Sequence, residues 1–231
     1  MSATFRAEQL GSLLRPQQLL DARAARDRGA LDADQLREAE NTAILAALEM
    51  QKKAGIDVFV DGEFRRRSYM TGFYEAVDGF VEAQEGTFGM QWKGTPRENY
   101  PRVNYPVVGG KLRPRGRIAG HEAAFLKEHS PGPYKITLPG AQMIGYSFRQ
   151  GVSDQVYSSR TELLADLAAI LRWEVQALIG DGVPYIQIDA PGYAQFVDPE
   201  FRQQFAARGV DLDRALNDGI EADNAIIDGL E

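Results

Sequence analysis

Two apolar runs in this chain lead directly into acids, a pattern that can place carboxylates where chemistry is done. Residues 56–60, Ile-Asp-Val-Phe-Val, end in Asp61-Gly62-Glu63, and residues 184–188, Pro-Tyr-Ile-Gln-Ile, end in Asp189. A hydroxyl, Ser12, closes a shorter extended stretch that begins at Phe5. Paired carboxylates such as Glu63 and Asp189 could serve as the acid and nucleophile of a metal-free glycoside hydrolase, at about 5 to 5.5 Å for retention or about 6.5 to 9.5 Å for inversion. The same acids could equally be loop residues or helix caps, and Ser12 a turn residue.

Other groups offer less. His121-Glu122 begins like a zinc-protease helix, but Phe125 stands where the second histidine belongs, and His129 is too far along for a one-turn ligand pair. Gly109-Gly110-Lys111 lacks the flanking residues of a phosphate loop and reads as a hairpin turn. Arg65, Arg66 and Arg67 could bind an anionic substrate tail, although like-charge runs are more often partly neutralised loops. Trp92, Tyr100 and Tyr105 could line a lid or pack the core of an insertion.

Composition narrows the classes. The 231 residues carry 26 Lys plus Arg against 33 Asp plus Glu, a net charge of -7, which argues against a nucleic-acid partner. With no cysteine, disulfides, thiolate zinc sites and a cysteine nucleophile are excluded, and two histidines leave little for metal. No apolar run nears the roughly 18 residues of a membrane span, and the start MSATFRAEQ lacks a signal-peptide core. The expectation is a cytoplasmic enzyme or binding protein without a membrane partner.

The elements that must position these groups alternate. The stretch 5–14 begins as a short extended segment, and Pro16 then opens a helix through Leu19 and Leu20. Asp32, with Gln35 three residues on, caps a second helix whose apolar face (Leu36, Ala43, Ile44, Ala47, Leu48) runs to Gly55. A strand is predicted at 56–60. Residues 76–133, rich in Gly, Pro and aromatics, read as an insertion of β-hairpin character ending in a short helix near 121–127. A strand at 134–138 follows, then a long helix capped by Ser159 and Glu162 and closed by Gly180, a strand at 184–188, and a last helix marked by Leu212, Leu216, Ile220 and Ile227.

Short apolar strands between long helices predict an α/β fold with a parallel sheet, and Ser12, Glu63 and Asp189 then share the C-terminal rim where barrels and open sheets bind ligands. About four strand–helix units are legible, against eight in a closed barrel. The expectation is a single domain over 1–231, the first half of a (β/α)8 TIM-barrel type, with the 76–133 insertion after its second strand.

Three motifs carry a family resemblance: residues 10–16 (LGSLLRP), 60–66 (VDGEFRR) and 185–191 (YIQIDAP). In order and spacing they resemble the catalytic barrel of cobalamin-independent methionine synthases, closest to the short members. The resemblance implies a methyltransferase that moves a methyl group from methyltetrahydrofolate to the sulfur of homocysteine, with zinc activating the thiol. It further implies that Leu10, Gly11 and Ser12 hold the amino-acid carboxylate while Glu63 and Asp189 bind the ammonium, two anions around one cation. Tyr146, in the stretch 138–148, stands where the larger synthases stack a tryptophan on the pterin. Ala190 replaces a glutamate of the synthases, and Phe64-Arg65 replaces their Pro-Glu. The family's zinc ligands, a histidine, a glutamate and two cysteines, belong to later strands of the barrel, so no metal ligand is expected in this chain. A truncated amino-acid-binding half barrel is the non-enzyme alternative, and a homo-oligomer or second chain completing the barrel is expected.

Overall fold

A computed structural model describes residues 7–82, 105–207 and 209–230. Trp92 and Tyr100, the beginning of the first extended stretch at Phe5, and the middle of the predicted insertion lie outside the described residues. In chain order the helices are α1 (Gln17–Asp27), α2 (Ala33–Lys53), α3 (Thr71–Ala76), α4 (Gly120–His129), α5 (Ala141–Ile144), α6 (Arg160–Gly180), α7 (Pro199–Ala206) and α8 (Leu212–Ile227). The strands are β1 (Val77–Val81), β2 (Val107–Pro114), β3 (Ile136–Pro139) and β4 (Ile186–Asp189). The chain forms two compact units from interleaved segments: 1–72, 117–139 and 174–189 in the first, 73–116, 140–173 and 190–231 in the second.

The first unit holds the parallel strands. β3 and β4 pair in parallel register from Ile136↔Ile186 to Pro139↔Asp189. Single parallel bridges, Glu8↔Val58 and Phe59↔Tyr134, extend this pairing to the two earlier predicted strands. Among the described residues those two strands are shorter than the sequence suggested. The Phe59 bridge is closed on both sides, its amide donating to the Pro133 carbonyl (2.8 Å) and its carbonyl accepting from the Lys135 amide (3.0 Å).

α2 is built as its sequence indicates. The Asp32 side chain accepts from the Gln35 amide (2.8 Å) and the Gln35 side chain accepts from the Asp32 amide (2.9 Å), satisfying two donors that the helix cannot. Ala43, Ile44, Ala47 and Leu48 are buried on its apolar face, against solvent on the other. Gln51, also buried, clamps the strand beside it by donating to the Val60 carbonyl (2.8 Å) and accepting from the Val60 amide (3.0 Å). That clamp sits directly before Asp61.

In the second unit β1 and β2 form an antiparallel pair, with a bulge at Gly79 between Asp78 and Phe80. A Cβ there would lie 2.9 Å from the Gly110 and Lys111 carbonyl oxygens, at φ +108°, so the crossing requires glycine. This antiparallel pair lies within the stretch 76–133. α8 packs beside the first part of α6, where Arg172 donates to the Asp228 carbonyl (2.6 Å) and Thr161 to Asp218 (2.6 Å).

Two local expectations change. The Ser159 hydroxyl accepts from the Glu162 amide (3.2 Å), but the Glu162 carboxylate turns to the amide and hydroxyl of Ser158 (both 2.8 Å), one residue before the predicted reciprocal partner. α7 was not anticipated, although Asp198 accepts from the amides of Glu200 (2.9 Å) and Phe201 (3.0 Å) with Pro199 at the first helical position, a pairing with a recognisable start signal. Among the described residues no helix is long and apolar enough to cross a membrane.

Candidate functional site

The first unit gathers acids at the ends of its parallel strands. Glu63 is the centre: its side chain is buried, at 2 % exposure, and its backbone is left-handed at φ +58°. A left-handed non-glycine residue is uncommon and marks a constrained turn. Gly62 before it also has positive φ (+71°), and a Cβ there would meet Leu13 and Phe64 at 3.1 Å. The Asp61 carboxyl closes the turn by accepting from the Glu63 amide through Oδ1 (2.8 Å).

Both Glu63 oxygens are engaged. Oε2 accepts from the Ser12 hydroxyl and Oε1 from the Thr137 hydroxyl (3.0 Å). The Leu13 amide donates to the Gly62 carbonyl (3.1 Å), so the loop carrying Leu10, Gly11 and Ser12 is fastened to this turn. Within that loop Leu10 and Ser12 are exposed and Gly11 takes φ +69°. Ser12 and Glu63, far apart in sequence, are thus brought together as a hydrogen-bonded pair.

Asp189 ends β4 and is half-buried. Its Oδ1 accepts from the Gln187 side chain. Burial pushes its carboxyl above the ordinary range and the Glu63 charge adds to the rise, while the Gln187 hydrogen bond opposes it. A second carboxylate that feels the charge of the first makes a place where a cation is favoured.

Arg66 braces the turn from beneath. Its guanidinium pairs with Glu122 of α4, with Nε 2.8 Å from Oε1, and donates to the Thr137 carbonyl (2.8 Å) and hydroxyl (3.2 Å). The Glu63 carboxylate lies 3.6 Å from Nη1. Arg15 holds the carbonyls of Glu63 (3.3 Å) and Arg66 (2.9 Å), and Arg23 those of Phe64 (2.6 Å) and Arg66 (2.9 Å). The arginine run is therefore not a free anion patch: Arg65 donates to Asn41 (2.7 Å) and covers the Phe125 ring, and Arg67 pairs with Asp27.

Sequence reasoning missed Thr137, Gln187 and Glu122. A signal existed for the first two. Lys135 and Thr137 alternate along one run and Gln187 and Asp189 along another, so period two puts each polar pair on one strand face. Lys135 itself is buried, held by Glu8 (3.0 Å) and Gln187 (2.6 Å). Glu122 was set aside with the incomplete histidine motif, yet its carboxylate is the buried partner of Arg66. Beside it, a pocket of about 500 Å³ along α4 is lined by Arg117, His121, Lys127, Tyr134 and Asp181. Its cations are already taken up by Asp181, whose carbonyl accepts from Lys127 (2.8 Å) and whose carboxylate pairs with Arg117 (2.9 Å).

Tyr146 belongs to the second unit. Its hydroxyl accepts from Gln142 (2.9 Å) and donates to Gln195 (3.2 Å), and the Arg160 guanidinium lies 5.9 Å from its ring centre. Burial pushes its phenol above the ordinary value.

Residues 6–215 match the sequence pattern of a family described as the catalytic domain of cobalamin-independent synthases. YxjH of Bacillus subtilis is 32% identical over 213 residues, covering 90% of this chain and 54% of that protein. The methionine synthase of Saccharolobus solfataricus is 28% identical over 219 residues, covering 94% of this chain and 59% of its own. The chain thus spans about half the length of the curated relatives it matches. Among solved structures, a B12-independent methionine synthase from Shewanella sp. W3-18-1 in complex with selenomethionine superposes with a TM-score of 0.69 at 24% identity, covering 98% of this chain and 59% of that one. At that identity the likeness is one of fold.

Proposed function

Because this chain belongs to the family of cobalamin-independent synthase catalytic domains, we propose that its strand-end acids bind the amino-acid part of a thiol that accepts a methyl group. The observation that carries the reading is Glu63: a buried carboxylate, held by Ser12 and Thr137 in a left-handed turn, with the Asp189 carboxyl close enough to feel its charge. In this reading Glu63 and Asp189 hold the ammonium, and Leu10, Gly11 and Ser12 hold the carboxylate. The order of residues along the acceptor then follows the order of the loop and the turn.

The acceptor is homocysteine or a similar thiol, and the donor is methyltetrahydrofolate or a related methyl carrier, with Tyr146 supplying a ring for it to stack on. Zinc, which the family resemblance implies for thiol activation, does not fit the donors present. The sequence holds no cysteine, and no group of three His, Cys, Asp or Glu suited to a metal occurs among the described residues. What these residues supply is acceptor binding: they orient the amino acid and keep its ammonium fixed while the sulfur projects away.

We propose methyl transfer for the complete barrel, to which this chain contributes the acceptor site. The bridges Glu8↔Val58 and Phe59↔Tyr134 and the β3–β4 pair support reading the first unit's strands as the first four of eight, in chain order. The single-domain reading of 1–231 with its 76–133 insertion, and a cytoplasmic location, belong to the same proposal.

Calorimetric titration with L-homocysteine and L-methionine tests it. Binding is expected for both, with 4-(methylthio)butanoic acid, which lacks the amine, at least tenfold weaker. Equal affinity for the deaminated compound would remove Glu63 and Asp189 from the ammonium site.

A further inference from the structure

Asp61 has no part in the amino-acid site as described so far, yet it is built into the same turn. Its side chain is buried at 7 % exposure. One oxygen, Oδ1, is committed to the Glu63 amide at 2.8 Å, while Oδ2 is buried without a hydrogen-bond partner among the described residues. A buried carboxylate oxygen without a donor is costly when charged and tolerable when it carries a proton. A simple turn-closing role needs only Oδ1, which an asparagine provides as well.

The charged neighbours come from every element packed here. Glu63, Arg65 and Arg66 share the turn, Glu122 reaches in from α4, and Asp189 stands at the end of β4 within range of Glu63. Arg66 is already paired with Glu122 and braces Glu63 at 3.6 Å. Ionising Asp61 as well leaves an excess of negative charge in a poorly solvated place. An incoming ammonium held by Glu63 removes that excess two residues away.

We propose that Asp61 is a proton-exchange residue of the acceptor site, protonated while the site is empty and ionised when an amino-acid ammonium is bound. Asp61 then favours a cationic amine over a neutral one, because only the cation replaces the charge of the departing proton. The balance is simple: one ammonium enters, the Asp61 O–H bond breaks, and the proton leaves to buffer. Burial first, and the Glu122 charge second, push the Asp61 carboxyl up to about 7, so the exchange falls in the neutral range.

The inference rests on the amino-acid-site reading, and a single experiment separates the two. L-Methionine is titrated into the purified chain at pH 7 in phosphate, HEPES and Tris, whose different ionisation enthalpies report protons released. Roughly half a proton per methionine is expected from a group titrating near that pH. Release should fall towards zero by about pH 8, where Asp61 is ionised in both states, and should vanish in Asp61→Asn, which keeps the acceptor for the Glu63 amide. Binding with no buffer dependence in the wild type, or an unchanged dependence in Asp61→Asn, overturns the proton exchange and leaves the amino-acid site standing. Absence of binding in every buffer overturns the site itself and the exchange with it. The wild-type pH series reads the exchange even if the variant folds poorly.

Discussion

Thr137 shows how a single side chain links the brace to the site. Its hydroxyl donates to Glu63 and accepts from Arg66, so one small residue on β3 fixes both. Thr137→Val keeps the shape and removes the hydroxyl, leaving a buried carboxylate oxygen without its donor. The expected loss is about 1 to 3 kcal/mol in unfolding free energy by urea titration, with weaker amino-acid binding. An unchanged midpoint would mean that Glu63 finds another donor. Asp189→Ala removes one of two charges on the proposed ammonium, and such a partner is typically worth about 2 to 5 kcal/mol when buried. The acceptor's KM, or its Kd for the isolated chain, should rise more than tenfold, and unchanged binding would take Asp189 out of the site. Glu63 and Asp189 were legible as strand-end acids from the apolar runs before them. Thr137 and Gln187 were hidden because a run read as apolar draws attention away from the alternate positions that share a face.

Among the elements, α2 and α4 deliver the turn in different ways. α2 is local in origin: a capping box starts it, Gly55 at φ +74° ends it, and Gln51 carries its order into the strand through two hydrogen bonds. Asp32→Ala should cost about 1 kcal/mol, measured by thermal or urea unfolding, because the Gln35 amide loses its partner at an exposed helix end. α4 acts through a long-range pair instead. Arg66→Met leaves Glu122 charged, buried and alone, with an expected cost of about 3 to 5 kcal/mol, whereas Arg66→Met with Glu122→Leu should recover most of it. A double variant no more stable than the single one would deny the pair its bracing role. The sequence showed α2 fully, since capping and periodicity are local properties. It showed α4 as a helix without a purpose, because the partner of Glu122 is 56 residues away.

For the whole molecule, pH dependence is the testable property. Asp61 titrates at about 7 when folded, against an ordinary value of 3.8. The folded state therefore binds more protons than the unfolded state between about pH 4 and 7, and stability falls as pH rises through that window and levels off above it. The contribution is about 4 kcal/mol across the window. Urea midpoints for Asp61→Asn should lack this component, and a parallel pH profile in variant and wild type would contradict the raised carboxyl. β4 is paired on one side by β3 and, among the described residues, by no strand on the other. The sequence by itself determined the alternation of strands and helices, the capped helices and the acids at the strand ends, because each depends on residues within a few positions of one another. Only the tertiary structure decided that Ser12 and Thr137 hold Glu63, that Arg66 is spent on Glu122, and that Asp61 keeps one oxygen without a partner among the described residues. Those outcomes depend on burial and on contacts between distant segments, which set the strength of every charge and hydrogen bond and leave no local trace in the chain.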